Sequence, residues 1–192
     1  MGFIGSVAVH RWSDFKAIDR RMIMTELLLR CVIVGLCVLT SLLIGTDSQV
    51  KEIFSFQRKA SFTDMKSLGL LVFANGFEAV YSLIQVLRCV ICMVRGNIVF
   101  SKPLAWAIFS CDQVITYLTI SALAIATQSS MFAKFGQSEF QWMKICDIYG
   151  KFCNQVADGI GTAFIASVCM VFISGMSAFG VFRLYGGNKC KC

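Results

Sequence analysis

Proline is almost missing from this chain, one residue in 192, and so is histidine, with His10 alone. Charge is scarce as well. Only 15% of residues are Asp, Glu, Lys or Arg and 57% are hydrophobic, where soluble domains carry about 25% and about 45–50%. So few charges cannot cover a water-soluble globule of this size, which excludes a single-domain cytosolic enzyme, and the same proportions exclude disorder. Catalytic signatures are lacking too: there is no HExxH, no phosphate-cradling glycine loop and no nucleophile elbow. His10 reads as a solvated tail residue, and no cysteine pairs have zinc spacing on a common loop. No catalytic residue, metal site or cofactor is therefore expected. An Asn-x-Ser/Thr sequon is absent, so N-glycosylation is not expected.

What the chain does have is apolar sequence in long runs. Four stretches, roughly 27–45, 68–94, 104–126 and 159–182, are long enough to cross a bilayer. They lack the alternation of barrel strands, and only helices or closed barrels satisfy their backbone in lipid, so helices are expected. The second run exceeds the hydrocarbon thickness and requires tilt or an extension beyond it. The first 26 residues carry Arg11, Asp14, Lys16, Asp19, Arg20, Arg21 and Glu26 and do not read as a secretory signal. The expectation is an all-α membrane protein, a four-transmembrane-helix bundle forming one domain over 1–192 with short tails.

Four spans put both termini on one side. Arg11, Lys16, Arg20, Arg21, Arg95, Lys102, Arg183, Lys189 and Lys191 fall on that side. Lys51, Arg58, Lys59, Lys66, Lys134, Lys144 and Lys151 fall on the other. Nine against seven favours cytoplasmic termini, and Arg30 and Arg88 add to it by lying nearer the inner ends of their spans. The net charge of +7 is spread in short segments between apolar runs. That pattern fits an anionic membrane face and not nucleic acid.

Charges inside the runs carry the most information, because each costs about 2.5–3.5 kcal/mol at mid-span and therefore turns inward to a partner. Arg30 in the first span and Asp112 in the third lie at similar depth, which invites a charge-assisted pair. Such a pair can fix helix register or serve an ion or proton relay, and Arg30 can instead snorkel to headgroups. Asn75, Glu78, Ser82, Gln85 and Arg88 share one side of the second span. They form either a hydrogen-bonded seam or the lining of a polar path; Glu78 keeps the second reading open. In the fourth span Gly159, Ala163 and Ser167 recur every four residues, with Ser174 and Ala178 beyond, a pattern for close backbone approach within the bundle or between subunits.

Most of the ten cysteines fall in apolar runs, where cysteine behaves as a small hydrophobe. Cys146 and Cys153 lie in the second outer loop and are a candidate disulfide, provided that loop is extracellular. Cys190 and Cys192, alternating with Lys189 and Lys191 just after the last span, are candidate palmitoylation sites.

Several segments together resemble one family. Arg30 followed by Thr46-Asp47-Ser48-Gln49, then Phe73-Ala74-Asn75-Gly76 and Tyr81-Ser82-Leu83-Ile84-Gln85, are similar to the Casparian strip membrane domain protein-like (CASP-like) proteins of plants. So are Leu104-Ala105-Trp106, Cys111 through Leu118, Cys146 through Cys153, and Ala163-Phe164. The resemblance covers roughly 26–182. It implies a MARVEL-like tetraspan of the plasma membrane with both termini cytoplasmic, and Arg30 and Asp112 fall on the family's intramembrane arginine and aspartate. It further implies oligomeric membrane platforms that organise cell-wall-modifying machinery, although the outer loop Gln49 to Lys66 departs from the platform-forming signature.

Taken with the missing catalytic groups, these features predict a non-enzymatic scaffold whose partners are the bilayer, copies of itself and its relatives. The competing expectation is a small ion or solute transporter or channel subunit using Glu78, Arg88 and Asp112.

Overall fold

The computed structural model describes the backbone of residues 3–46, 48–53, 56–61, 66–95, 102–136, 146 and 150–186, and the side chains of 21–46, 66–94, 103–136, 146 and 150–183. Four helices dominate it: α1 (Phe3–Gly45), α2 (Lys66–Arg95), α3 (Lys102–Phe135) and α4 (Gly150–Gly186). Each contains a segment long and apolar enough to cross a membrane, namely Arg21–Gly45, Lys66–Val94, Pro103–Phe135 and Gly150–Arg183. The membrane-crossing body is a four-helix bundle.

Polarity is arranged for lipid rather than water. Large apolar side chains point outward, with Phe73 69% and Phe172 64% exposed, while Arg30, Glu78 and Asp112 are wholly buried. A bilayer solvates the first group and cannot solvate the second, so the bundle places each where its transfer cost is least. Trp106, near the start of α3, is half exposed and meets the Phe109 ring edge-on at 5.9 Å.

α1 packs on α2 and α4, and α3 on the same two, so the helices run in chain order around a ring and α1 faces α3 across its diagonal. One end of the bundle, here the hairpin end, holds the apolar cluster of Ile44, Leu68, Leu71, Ala126, Phe152 and Val156 with its neighbours. A second cluster, built on Ile33, Cys37, Ile115, Ala166, Met170 and Ile173, fills the middle. The opposite, tail end is polar inside. Gly159 allows α4 to lie against α1: a Cβ there would sit 2.6 Å from Ile44 Cγ1. Gly159, Ala163, Ser167 and Ser174 are all buried, so the small-residue stripe is used within the chain.

The helices outrun the hydropathy runs. α3 continues past residue 126 through Thr127, Gln128, Ser129 and Ser130, and three of these side chains are hydroxyls that fold back onto carbonyls one turn earlier. Thr127 donates to Leu123 O at 2.8 Å, Ser129 to Ile125 O at 2.9 Å and Ser130 to Ala126 O at 2.8 Å. Such local bonds satisfy the polar side chains without breaking the helix. α3 stops at Gly136, whose φ of 65° and N–H bond to Phe132 O at 2.9 Å form a left-handed cap. α4 begins at Gly150, well before residue 159, because Phe152 and Val156 are spaced to bury on the core side.

The segment between α1 and α2, expected as a loop, carries an antiparallel hairpin of β1 (Ser48–Ile53) and β2 (Phe56–Ser61), in register from Ser48↔Ser61 to Ile53↔Phe56. Side-chain alternation along so short a polar stretch is too weak a signal to reveal it from sequence. The end of α1 is closed from α4, where Gln155 Nε2 donates to Leu43 O at 2.7 Å, one of the carbonyls a helix terminus leaves open.

Candidate functional site

The polar interior of the tail end is built around Asp112. It lies on the inward face of α3, one residue in a stripe with Ile108, Ile115, Thr116 and Thr119, all buried. Arg30 crosses the bundle diagonal from α1, and its Nη2 donates to Asp112 Oδ1 at 3.0 Å and to Oδ2 at 3.2 Å. Tyr81 of α2 donates its hydroxyl to Oδ1 at 2.7 Å, and Ser177 of α4 donates to Oδ2. An ionised carboxylate offers about four acceptor positions. All of them are filled, by donors from each of the other three helices.

The network extends one step further. Glu26, one turn before Arg30 on α1, accepts from Arg30 Nε at 3.1 Å and from Arg88 Nη2 of α2 at 3.0 Å. Two guanidinium groups thus face two carboxylates, and the cluster is formally neutral. The Arg30 guanidinium also stands 5.5 Å from the Tyr81 ring centroid, within cation–π range. Buried charges are costly unless paired and hydrogen-bonded; these four pair with one another, and Arg30 Nη1 is left without a hydrogen-bond partner among the described residues.

Arg30 and Asp112 are brought together, and Arg88 joins them through Glu26. Glu78 does not join. It is wholly buried on α2, and neither carboxylate oxygen has a hydrogen-bond partner among the described residues. Asn75, at the other end of its stripe, donates to Leu71 O of its own helix at 2.9 Å. Cys146 and Cys153 are bonded to each other, with their Cα atoms 5.6 Å apart, which ties the segment before α4 to its first turn. Cys190 and Cys192 lie outside the described residues. Of the groups that sequence reasoning missed, Glu26 had a signal, its spacing of four from Arg30. Tyr81 and Ser177 had none, because hydroxyls on apolar helices are common and only the packing shows which ones meet a charge.

Chemically, the arrangement is an anchor for four helices. Thr40 and Thr162 add a hydroxyl pair between α1 and α4 at 2.8 Å. Asp112 has no acceptor position left for a ligand.

Comparison with known proteins gives a consistent result. The family model of the Casparian strip membrane protein domain matches residues 19–169. A relative from Vitis vinifera, CASP-like protein 2B1, is 63% identical over 185 residues, 96% of this chain and 92% of its own. CASP-like protein 2B1 of Ricinus communis is 62% identical over 187 residues, covering 97% and 93%. CASP-like protein 2B2 of Arabidopsis thaliana is 57% identical over 179 residues, covering 93% and 89%. No solved structure matches.

Proposed function

Because this chain belongs to the family defined by the Casparian strip membrane protein domain, we propose that it is a non-enzymatic, multi-pass scaffold of the plasma membrane with both termini cytoplasmic. It associates with copies of itself and with relatives to organise a patch of membrane, in the service of cell-wall modification. The observation that carries this reading is the filled coordination of Asp112 by Arg30, Tyr81 and Ser177. A carboxylate whose oxygens are all taken by donors from three other helices ties the bundle together and leaves no opening for a substrate at that point. Association between chains falls to the outward faces. On α4 these include Gly161 and Gly175, where an added Cβ would meet nothing within 4 Å. Small residues there let a second helix approach closely.

Photobleaching of the fluorescently tagged protein in a plant cell tests the proposal. Slow recovery is expected, together with a complex in mild detergent heavier than the 21.3 kDa chain. Fast recovery and a single-chain mass would overturn it. Transport is the second reading, favoured by Glu78, buried without a salt-bridge partner among the described residues. It requires ion or solute flux into liposomes that Glu78→Gln abolishes.

A further inference from the structure

A carboxylate removed from water is neutralised by a fixed cation, by a bound cation or by a proton. Asp112 has the first of these. Glu78 is equally buried, yet its Oε1 and Oε2 have no hydrogen-bond partner among the described residues. Among the described residues, the groups around it supply no paired positive charge. On α1, the Cys37 thiol lies against it as a weak donor, while Arg30 pairs with Glu26 and Asp112 and keeps only Nη1 without a partner among the described residues. On α2, Tyr81 donates to Asp112 and Arg88 reaches Glu26. On α3, Asp112 is saturated, and the Thr116 and Thr119 hydroxyls turn to carbonyls of their own helix. On α4, the Cys169 thiol is a neighbour of Glu78.

A bound metal ion suits the position poorly. The neighbours are thiols beside one carboxyl, and no group of three or more His, Cys, Asp or Glu side chains converges among the described residues. A proton remains. The same inward face of α2 continues toward the tail end with Ser82, four residues on, and Gln85, three further. Ser82 Oγ and Gln85 Oε1 are likewise buried without a partner among the described residues. A hydroxyl both donates and accepts and an amide oxygen accepts, so bridging water can join them in a line.

We propose that Glu78 is an intramembrane proton-binding site, neutral as a carboxylic acid in the folded bundle and exchanging its proton with water along Ser82 and Gln85. The step is reversible: a proton from the aqueous phase adds to one carboxylate oxygen and leaves by the same route, with no electron transfer. The site is independent of whether the protein is a scaffold.

The test uses the full chain reconstituted in bilayers, with carbonyl-labelled phenylalanine and fully labelled glutamate. Phe77–Glu78 is the one Phe–Glu step in the sequence, so solid-state NMR selects the Glu78 carboxyl without any substitution. At neutral pH that carboxyl is expected at the protonated position. In D2O a protonated carboxyl stretch in the infrared spectrum is expected to shift to lower frequency, and Glu78→Gln removes the band. Ser82→Ala with Gln85→Leu is expected to leave Glu78 neutral and lengthen the half-time of the shift. An ionised Glu78 in the unsubstituted chain overturns the proposal, whether or not Glu78→Gln folds. A neutral Glu78 that never exchanges, or exchange unchanged by the double substitution, overturns the route.

Discussion

Arg30 and Asp112 stand on helices that face each other across the diagonal of the bundle, yet their fully buried side chains share two hydrogen bonds, at 3.0 and 3.2 Å. Arginine has the reach and the planar donor fork for this; lysine would offer a single point charge. The contact fixes the relative depth of α1 and α3, each of which packs mainly on α2 and α4.

Breaking that contact from one side leaves a buried charge uncompensated, at a cost of about 3–5 kcal/mol. Arg30→Gln and Asp112→Asn should each lower the unfolding midpoint in detergent strongly, and the double variant less than the sum of the two. The exchanged pair, Arg30→Asp with Asp112→Arg, should recover only part of the loss, because the new aspartate would lie one turn from Glu26. Additive losses in the double variant would count against direct coupling.

Tyr81→Phe keeps the ring beside Arg30 and removes one donor from Asp112. A hydrogen bond to a charged group contributes about 1.5–3 kcal/mol, so the variant should be clearly destabilised but still folded. Glu26→Gln should cost less, about 1 kcal/mol, since the Glu26 and Arg88 side chains remain 18% and 21% exposed and part of their attraction is screened. Unfolding midpoints that rank the two in the opposite order would refute the placement of Asp112 at the centre.

Two glycines of α4 should respond in opposite ways. Gly159→Ala pushes a methyl to within 2.6 Å of Ile44 Cγ1, and overpacking of this kind costs about 1–3 kcal/mol. Ile44→Ala in the same chain should relieve it, so the double variant should lose less than the sum. At Gly161 nothing lies within 4 Å; Gly161→Ala should leave the bundle unchanged or stabilise it by about 0.5–1 kcal/mol through helix propensity.

Alkylation without reductant should leave Cys146 and Cys153 unmodified, and mass analysis should recover their peptides joined. Closing so short a loop stabilises a fold by about 2–3 kcal/mol in the chain-entropy account. Reduction, or Cys146→Ser with Cys153→Ser, should therefore lower the unfolding midpoint. Free thiols at both positions in protein isolated under oxidising conditions would remove the cross-link.

The crossing segments were legible in the sequence because hydrocarbon imposes a strict rule: a run of about 20 apolar residues has few other fates. The intramembrane charges were legible for the same reason, since their cost marks them out. Their partners were not all so. Arg30 and Asp112 sit at matching depths that sequence can estimate, but Ser177 and Tyr81 become partners only when α4 and α2 bring them to Asp112.

Helix ends were less legible than helix existence. Thr127, Ser129 and Ser130 look like the start of a loop, yet α3 runs on through them with their hydroxyls bonded to carbonyls one turn back. The sequence alone determined that this chain is solvated by lipid and carries a few costly charges, because transfer free energies are local properties of residues. Tertiary structure decided which charges are paired, that the Gly159 stripe packs inside the chain, and that Glu78 is left over, because pairing depends on how four helices are rotated about their axes.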